Sequence, residues 1–281
     1  MDFNSIVSCK DYVNIRKEKL KKYVTALPKK PTLVVCQVDS DPASNTYVKG
    51  KEKDCKELGL NFKHIIIDSS ICNQDAFESL LTDINKDADV SGIIIQLPIP
   101  DMYNVERLQQ CISPEKDVDG FRRDSFFKPC TPKGIIDWLK FNNYDLVGKD
   151  VTVVGRSKIV GKPLVNMLID EGATVTCCNS RTKKLFNKTG QAELVITAIG
   201  KAKYFNDFYL GFNTLVVDVG INRDENGKLC GDVDRDKYKK MIEQGHCYIT
   251  PVPNGVGLIT RLALMENIIE AYRLQNGGEK C

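Results

Sequence analysis

The sequence predicts an α/β protein of two domains, and three observations lead there. Strand-like and helix-like segments alternate almost from end to end, the pattern of layered parallel sheets. A glycine-punctuated loop, VVGRSKIVGKPL at residues 153–164, lies near mid-chain, leaving a domain-sized length ahead of it. Residues 113–134 are rich in proline, glycine and charge, as a boundary segment is. The expected division is a first domain of 1–130, rejoined by 262–281, and a second of 131–261, with a cleft between them.

Apolar, β-branched runs bounded by turn residues place strands at 32–38, 61–67, 92–96, 151–154, 174–178, 194–198, 215–219 and 247–249. Three precede the glycine loop and five belong with it or follow it. After the first strand, 39–42 reads as a turn and 45–51 opens a helix, putting Tyr47 and Lys51 four residues apart on one face. A merely solvated helix face is the alternative. The third strand, in GIIIQLPIP at 92–100, carries one polar side chain, Gln96, at its carboxyl end, where ligands gather in open α/β sheets. A turn-capping glutamine is the other reading. In KDVDGF at 116–121, Asp119 stands before Gly120 as a fixed acceptor for a ligand or as an ordinary Asp-Gly turn.

The fourth strand and the loop after it outline a phosphate cradle. Gly155 permits a sharp turn, Gly161 permits close backbone approach, and a helix over 163–171 would aim its first N–H groups at an anion. The spacing departs from G-x-G-x-x-G, and tight turns favour glycine for their own reasons. Gly172 is placed to end the helix. About 20 residues past the glycines, where NAD sites place a carboxylate, the chain has Asn179, Ser180, Arg181 and Thr182. A hydroxyl and a guanidinium can donate to a 2′-phosphate, and Arg156 adds a second cation, which favours NADP over NAD. An ordinary polar loop is the alternative. PVPNGVG at 251–257 reads as a stiff loop that either borders a ligand or links rigidly. A last helix over 260–273 has apolar residues at Leu262, Leu264, Met265, Ile268 and Ile269.

Composition excludes several classes. Forty Lys and Arg against thirty-seven Asp and Glu leave +3, without the one-sign blocks of a nucleic-acid or membrane binder. Eleven cysteines include no C-x-x-C pair, which fits free thiols in a reducing compartment. With only His64 and His246, a metal site or a Ser-His-Asp triad has little material, so no metal is expected, and His64 reads as structural. The first twenty residues carry no signal-peptide or transit pattern, so a cytoplasmic location is expected.

Eight segments in order, YVKGK (47–51), GIIIQLPIP (92–100), PEKDVDGF (114–121), PCTPKG (129–134), VVGRSKIVGKPL (153–164), DVGIN (218–222), GDVD (231–234) and PVPNGVG (251–257), resemble the bifunctional methylenetetrahydrofolate dehydrogenase/methenyltetrahydrofolate cyclohydrolase family. The resemblance implies a folate-side domain, a Rossmann-like NADP domain and a homodimer formed through the latter. It implies oxidation of 5,10-methylenetetrahydrofolate with NADP and hydrolysis of the product to 10-formyltetrahydrofolate. It further implies a catalytic set in which Tyr47 stacks on the folate, Lys51 is the principal group, Gln96 tunes that lysine and Asp119 anchors the pterin. Leu97, Pro98, Pro253, Gly255 and Gly257 join them around the substrate, and Gly155, Arg156, Ser157, Ile159, Ser180, Arg181 and Ile221 around the cofactor. The chain departs from the family pattern at Asn254, Leu258 and Ile259, where glycine, proline and methionine are usual, at Asn179, where histidine is common, and at Ala202, where proline is. Three other readings compete. An NAD-linked, monofunctional relative disagrees with Lys51, Gln96, Ser180 and Arg181. In short-chain dehydrogenases a Tyr-x-x-x-Lys pair follows the glycine loop, whereas here it precedes it by about a hundred residues. A folate-binding protein without turnover disagrees with an intact Lys51.

Overall fold

The computed structural model describes residues 8–206 and 209–278. Residues 1–7 and 279–281, which belong to the expected first domain and, at the amino end, to the reading of the leader, lie outside the described residues. The chain forms two compact units, Met1–Asn14 with Thr131–Thr260 and Ile15–Cys130 with Arg261–Cys281. Of the described residues, 8–14 group with the 131–260 unit. The buried Tyr12 ring packs against Phe141 with centroids 4.9 Å apart, an aromatic contact that ties residue 12 to the 131–260 unit.

Helix α1 (Cys9–Ala26) leads into the 15–130 unit. It is followed by β1 (Thr32–Val38), α2 (Pro42–Leu58), β2 (Asn61–Ile67), α3 (Gln74–Lys86), β3 (Gly92–Gln96) and α4 (Val105–Cys111). The strands are parallel in the order β2-β1-β3. Successive side chains of a strand face opposite sides, and the core divides accordingly. Leu33, Val35 and Ile94 pack on one face with Leu264, Met265 and Ile268. Val34, Cys36, Ile93 and Ile95 pack on the other with Phe77, Leu81 and Leu108. Every residue of β1 and β3 is buried, as expected of a parallel sheet covered on both sides. α2 starts three residues before the expected position, because Asp41 caps it by accepting from Ser44 N at 2.7 Å and Pro42 occupies its first turn.

In the 131–260 unit, α5 (Cys130–Phe141), β4 (Asp150–Val154), α6 (Gly161–Asp170), β5 (Thr174–Cys178), α7 (Leu185–Gly190), β6 (Leu194–Thr197) and β7 (Thr214–Asp218) follow in order. A short hairpin, β8 (Asn222–Arg223) with β9 (Leu229–Cys230), precedes α8 (Lys239–Glu243), β10 (Cys247–Ile249) and α9 (Val256–Gln275). The five parallel strands run β10-β7-β6-β4-β5. The hairpin escapes period-based reading because its strands are two residues long, and Asp224 ties its turn by accepting from Asn226 N and Lys228 N. α9 begins four residues earlier than expected, so Gly257 lies in a helical turn rather than in the stiff loop. Among the described residues, no helix is long and apolar enough to cross a membrane.

Candidate active site

In the 15–130 unit the strand order turns about β1, with β2 on one side and β3 on the other. Connections after β1 and β3 leave in opposite directions at such a point, opening a crevice at the carboxyl ends. The expected residues stand there. α2, which follows β1, carries Tyr47, 43% exposed, and one turn later Lys51. Gln96 closes β3, is buried, and accepts from Lys51 Nζ at 3.1 Å. Its amide donates to Leu97 O at 2.7 Å, which turns the carbonyl toward the lysine. The Leu97-Pro98 bond that follows is cis.

Asp119 lies beyond β3 in a turn closed by Gly120 N to Asp117 O at 3.0 Å. The turn reading and the acceptor reading are thus compatible. Gly120 has φ +72, and a Cβ there would meet Phe127 O at 2.7 Å, so only glycine fits. Loss of solvation pushes the Asp119 carboxyl up to about 6; the Lys51 ammonium pulls it down, Asp117 pushes it up, and the Cys130 thiol, 3.9 Å away, pulls it down.

Sequence reasoning missed the groups that hold these side chains in place. Buried Asn267 of α9 donates to Val118 O at 2.9 Å, pinning the residue before Asp119. Buried Asp54 of α2 takes Lys17 Nζ at 2.8 Å and lies 2.9 Å from Arg261 Nε, an ion pair off the line of a hydrogen bond. Arg261 also lies flat on α2, since a Cβ at Gly50 would stand 2.4 Å from its Nη1. The available signal was an aspartate and an asparagine at helix positions whose neighbours are core residues.

The 131–260 sheet repeats the same order, with β4 at the turning point between β5 and β6. Gly155 adopts φ +125, and a Cβ on it would lie 2.2 Å from Ala198 O in the loop after β6. A Cβ on Gly161 would lie 2.1 Å from Gly155 O. The two glycines therefore seat the first turn of α6 directly against the β4 turn. Ser157 Oγ accepts from Val160 N and Gly161 N at 3.2 and 3.3 Å. Val154 pairs with Cys178, so Arg156 and Ser180 each stand two residues beyond paired positions on adjacent strands. Arg156, Ser157, Ile159, Ser180, Arg181 and Ile221 are all exposed. Asn179 Oδ1 accepts from Arg181 N at 2.9 Å and sets that turn. Two exposed guanidinium groups and a hydroxyl, with no carboxylate at 179–182, suit a phosphorylated ribose.

Pro253 and Gly255 lie in the loop before α9. A Cβ at Gly255 would meet Pro251 O at 2.2 Å, and the Val252-Pro253 bond is cis. Asn254 adopts φ +76, a conformation that asparagine tolerates better than most residues. Ile259 is fully buried, which accounts for an apolar residue at that departure.

Together, the fold and the two crevices define a class: a two-unit α/β protein with a dinucleotide-type sheet and a separate sheet bearing a lysine–glutamine–aspartate set. Residues 129–276 match the tetrahydrofolate dehydrogenase/cyclohydrolase NAD(P)-binding domain, and residues 7–119 match the catalytic domain of the same family. The chain belongs to the tetrahydrofolate dehydrogenase/cyclohydrolase family. It is 40% identical to the bifunctional protein FolD of Bacillus subtilis, over 96% of this chain and 98% of that one. It is similar to the crystal structure of the bifunctional FolD enzyme of Campylobacter jejuni, with TM-score 0.88 and 37% identity over 95% and 98% of the two chains. The Trypanosoma brucei FolD structure, complexed with NADP cofactor and inhibitor, has TM-score 0.88 and 25% identity over 96% and 98%.

Proposed function

We propose that this chain oxidises 5,10-methylenetetrahydrofolate to the methenyl form with NADP and hydrolyses that product to 10-formyltetrahydrofolate, with the 15–130 unit acting on the folate and the 131–260 unit holding the nucleotide. The observation that carries the reading is the 3.1 Å bond from Lys51 Nζ to Gln96 Oε1 at the turning point of the sheet. Held by the loops after β4 and β5, NADP would supply the acceptor for the hydride that leaves the folate methylene carbon. The protein's part in that step is to orient its ligands. Tyr47 offers an exposed ring for stacking on the folate, and Asp119 an acceptor for the pterin's N–H groups, with Leu97, Pro98, Pro253, Gly255 and Gly257 as further substrate contacts. In hydrolysis Lys51 moves a proton at Nζ between the attacking water and the folate nitrogen, while Gln96 holds that Nζ in position. Arg156, Ser180 and Arg181 receive the 2′-phosphate, and Gly155, Ser157, Ile159 and Ile221 line the nucleotide. A homodimer, a cytoplasmic location and a supply of formyl groups to purine biosynthesis complete the proposed reading. The test is methenyl formation with NADP and NAD in parallel, followed by release of 10-formyltetrahydrofolate, with sedimentation for the dimer. Turnover with NAD alone, or no hydrolysis, would overturn it.

A further inference from the structure

Two aspartates of the 131–260 unit are buried without a lysine or arginine among the described residues bonded to either: Asp218, at the end of β7, is 1% exposed and Asp232 is fully buried. Asp218 Oδ1 accepts from Thr197 Oγ1 at 3.1 Å, Gly220 N at 3.2 Å and Asp232 N at 2.9 Å, and its Oδ2 from Val233 N at 3.0 Å. Asp232 Oδ2 accepts from Ile199 N at 2.7 Å, and its Oδ1 from Lys201 N at 2.9 Å and Asn222 Nδ2 at 3.0 Å. Two glycines exist to let the carboxylates in. A Cβ at Gly231 would stand 1.8 Å from Asp218 Oδ2, and one at Gly220 would stand 2.2 Å from Asp232 Oδ1. Burying carboxylates is costly unless their oxygens are filled by donors, and burial pushes Asp218 up to about 6. An apolar pair would hold a core with less penalty, so the arrangement points to a role other than bulk stability.

That role follows from which segments are tied. The bonds collect residues 199–201 after β6, 220–222 after β7 and 232–233 after β9, while Thr250 Oγ1, after β10, accepts from Asp218 N at 2.8 Å. All lie at or beyond the carboxyl edge of the sheet, where ligands bind. Ile221, exposed between the tied Gly220 and Asn222, is a nucleotide contact in the reading above. Resting on that reading, we infer that Asp232, seated on Asp218, is a positioning residue that sets the loops after β6 and β7 for the nucleotide and thus serves the dehydrogenase step alone. Asp232 meets N–H donors at both oxygens, so only an acceptor on both sides satisfies the site. An asparagine must turn its NH₂ against Ile199 N–H on one side or against Lys201 N–H and the Asn222 amide on the other.

The test uses the full chain with Asp232→Asn and, as a milder variant, Asn222→Ala, which removes only the side-chain donor. NADPH binding is followed by fluorescence, dehydrogenase by methenyl formation, and cyclohydrolase by hydrolysis of supplied methenyltetrahydrofolate, which uses no nucleotide. The expected result for Asp232→Asn is an NADPH Kd and an NADP KM raised about tenfold or more, the equivalent of one lost hydrogen bond to a charged group, with cyclohydrolase within about twofold of wild type. Asn222→Ala should shift both constants in the same direction by less. Unchanged NADPH affinity in the folded variants would overturn the positioning role, as would equal loss of both activities. A wild-type chain that binds NADPH yet fails to oxidise the folate would instead overturn the function reading.

Discussion

The two crevices have the same topology and opposite contents. Each lies where a parallel sheet ordered 2-1-3 turns about its first strand, at the ends of β1 and β3 in one unit and of β4 and β6 in the other. The first is furnished with side chains drawn from separate stretches of chain: Lys51 from α2, Gln96 from β3 and Asp119 from the turn beyond, bonded or charge-coupled before any ligand arrives. The second is furnished with backbone. Gly155 and Ala198 come so close that no Cβ fits between them, and the polar side chains at its rim, Arg156, Ser180 and Arg181, are exposed. Topology supplies the same place twice, and local sequence decides whether it is furnished with ionisable side chains or with backbone.

The sharpest way to break this contrast is Lys51→Met. Cyclohydrolase activity should fall by about 10²-fold or more, the usual contribution of a positioned proton-transfer group, while folate still binds. Wild-type hydrolysis in the purified variant would remove Lys51 from its role. Asp119→Asn comes next, because a pterin anchor serves both reactions. Both kcat/KM values should fall about tenfold or more in a stably folded variant. Loss of one activity alone would break the shared-anchor assignment.

On the nucleotide side the effects should be smaller and confined to one reaction. Arg156→Ala should weaken NADP about tenfold, as loss of one charge-assisted contact does, leave NAD little changed, and spare hydrolysis. Ser180→Asp should shift preference from NADP toward NAD, since a carboxylate repels the phosphate and accepts from the ribose hydroxyls. Parallel kinetics with both nucleotides check these two together, and equal losses for NADP and NAD would place Arg156 away from the 2′-phosphate.

The smallest expected effect is on stability. The folded-state pKa of Asp119 lies above the ordinary carboxylate value, so the folded chain holds that proton more tightly than the unfolded chain does. As pH rises through the unfolded value toward about 6, ionising Asp119 costs stability, and above that the cost is constant. Asp119→Asn lacks this cost. Its melting temperature relative to wild type should rise between pH 4 and pH 7.5 by about 2 °C, the equivalent of roughly 1 kcal/mol once partial exposure is allowed for. A pH-independent difference would show that burial does not perturb the group.

The eight sheet strands were legible because buried parallel strands are short apolar runs between turn residues, a signal contained within each segment. Boundaries moved where capping overrode pattern, as at Asp41 and Pro42. The hairpin β8–β9 escaped because two-residue strands have no period to detect. Asp54, Asn267, Asp218 and Asp232 went unread as structural groups because a polar residue near apolar neighbours does not name its partner. Arg261 lies 207 residues from Asp54, counting from 54 to 261.

The sequence by itself determined the alternation of strands and helices, the positions of both crevice-forming turns, and the chemical types of the side chains at each, because these depend on local periodicity and residue chemistry. Only the tertiary structure decided the strand orders that create the crevices, the grouping of residues 8–14, and three long-range contacts: Lys51 on Gln96, Asn267 on the segment before Asp119, and Asp232 on the loops after β6 and β7. A hydrogen bond depends on distances of a few tenths of an ångström. Such distances between residues far apart in the chain are set by packing of the whole unit, which no local pattern encodes.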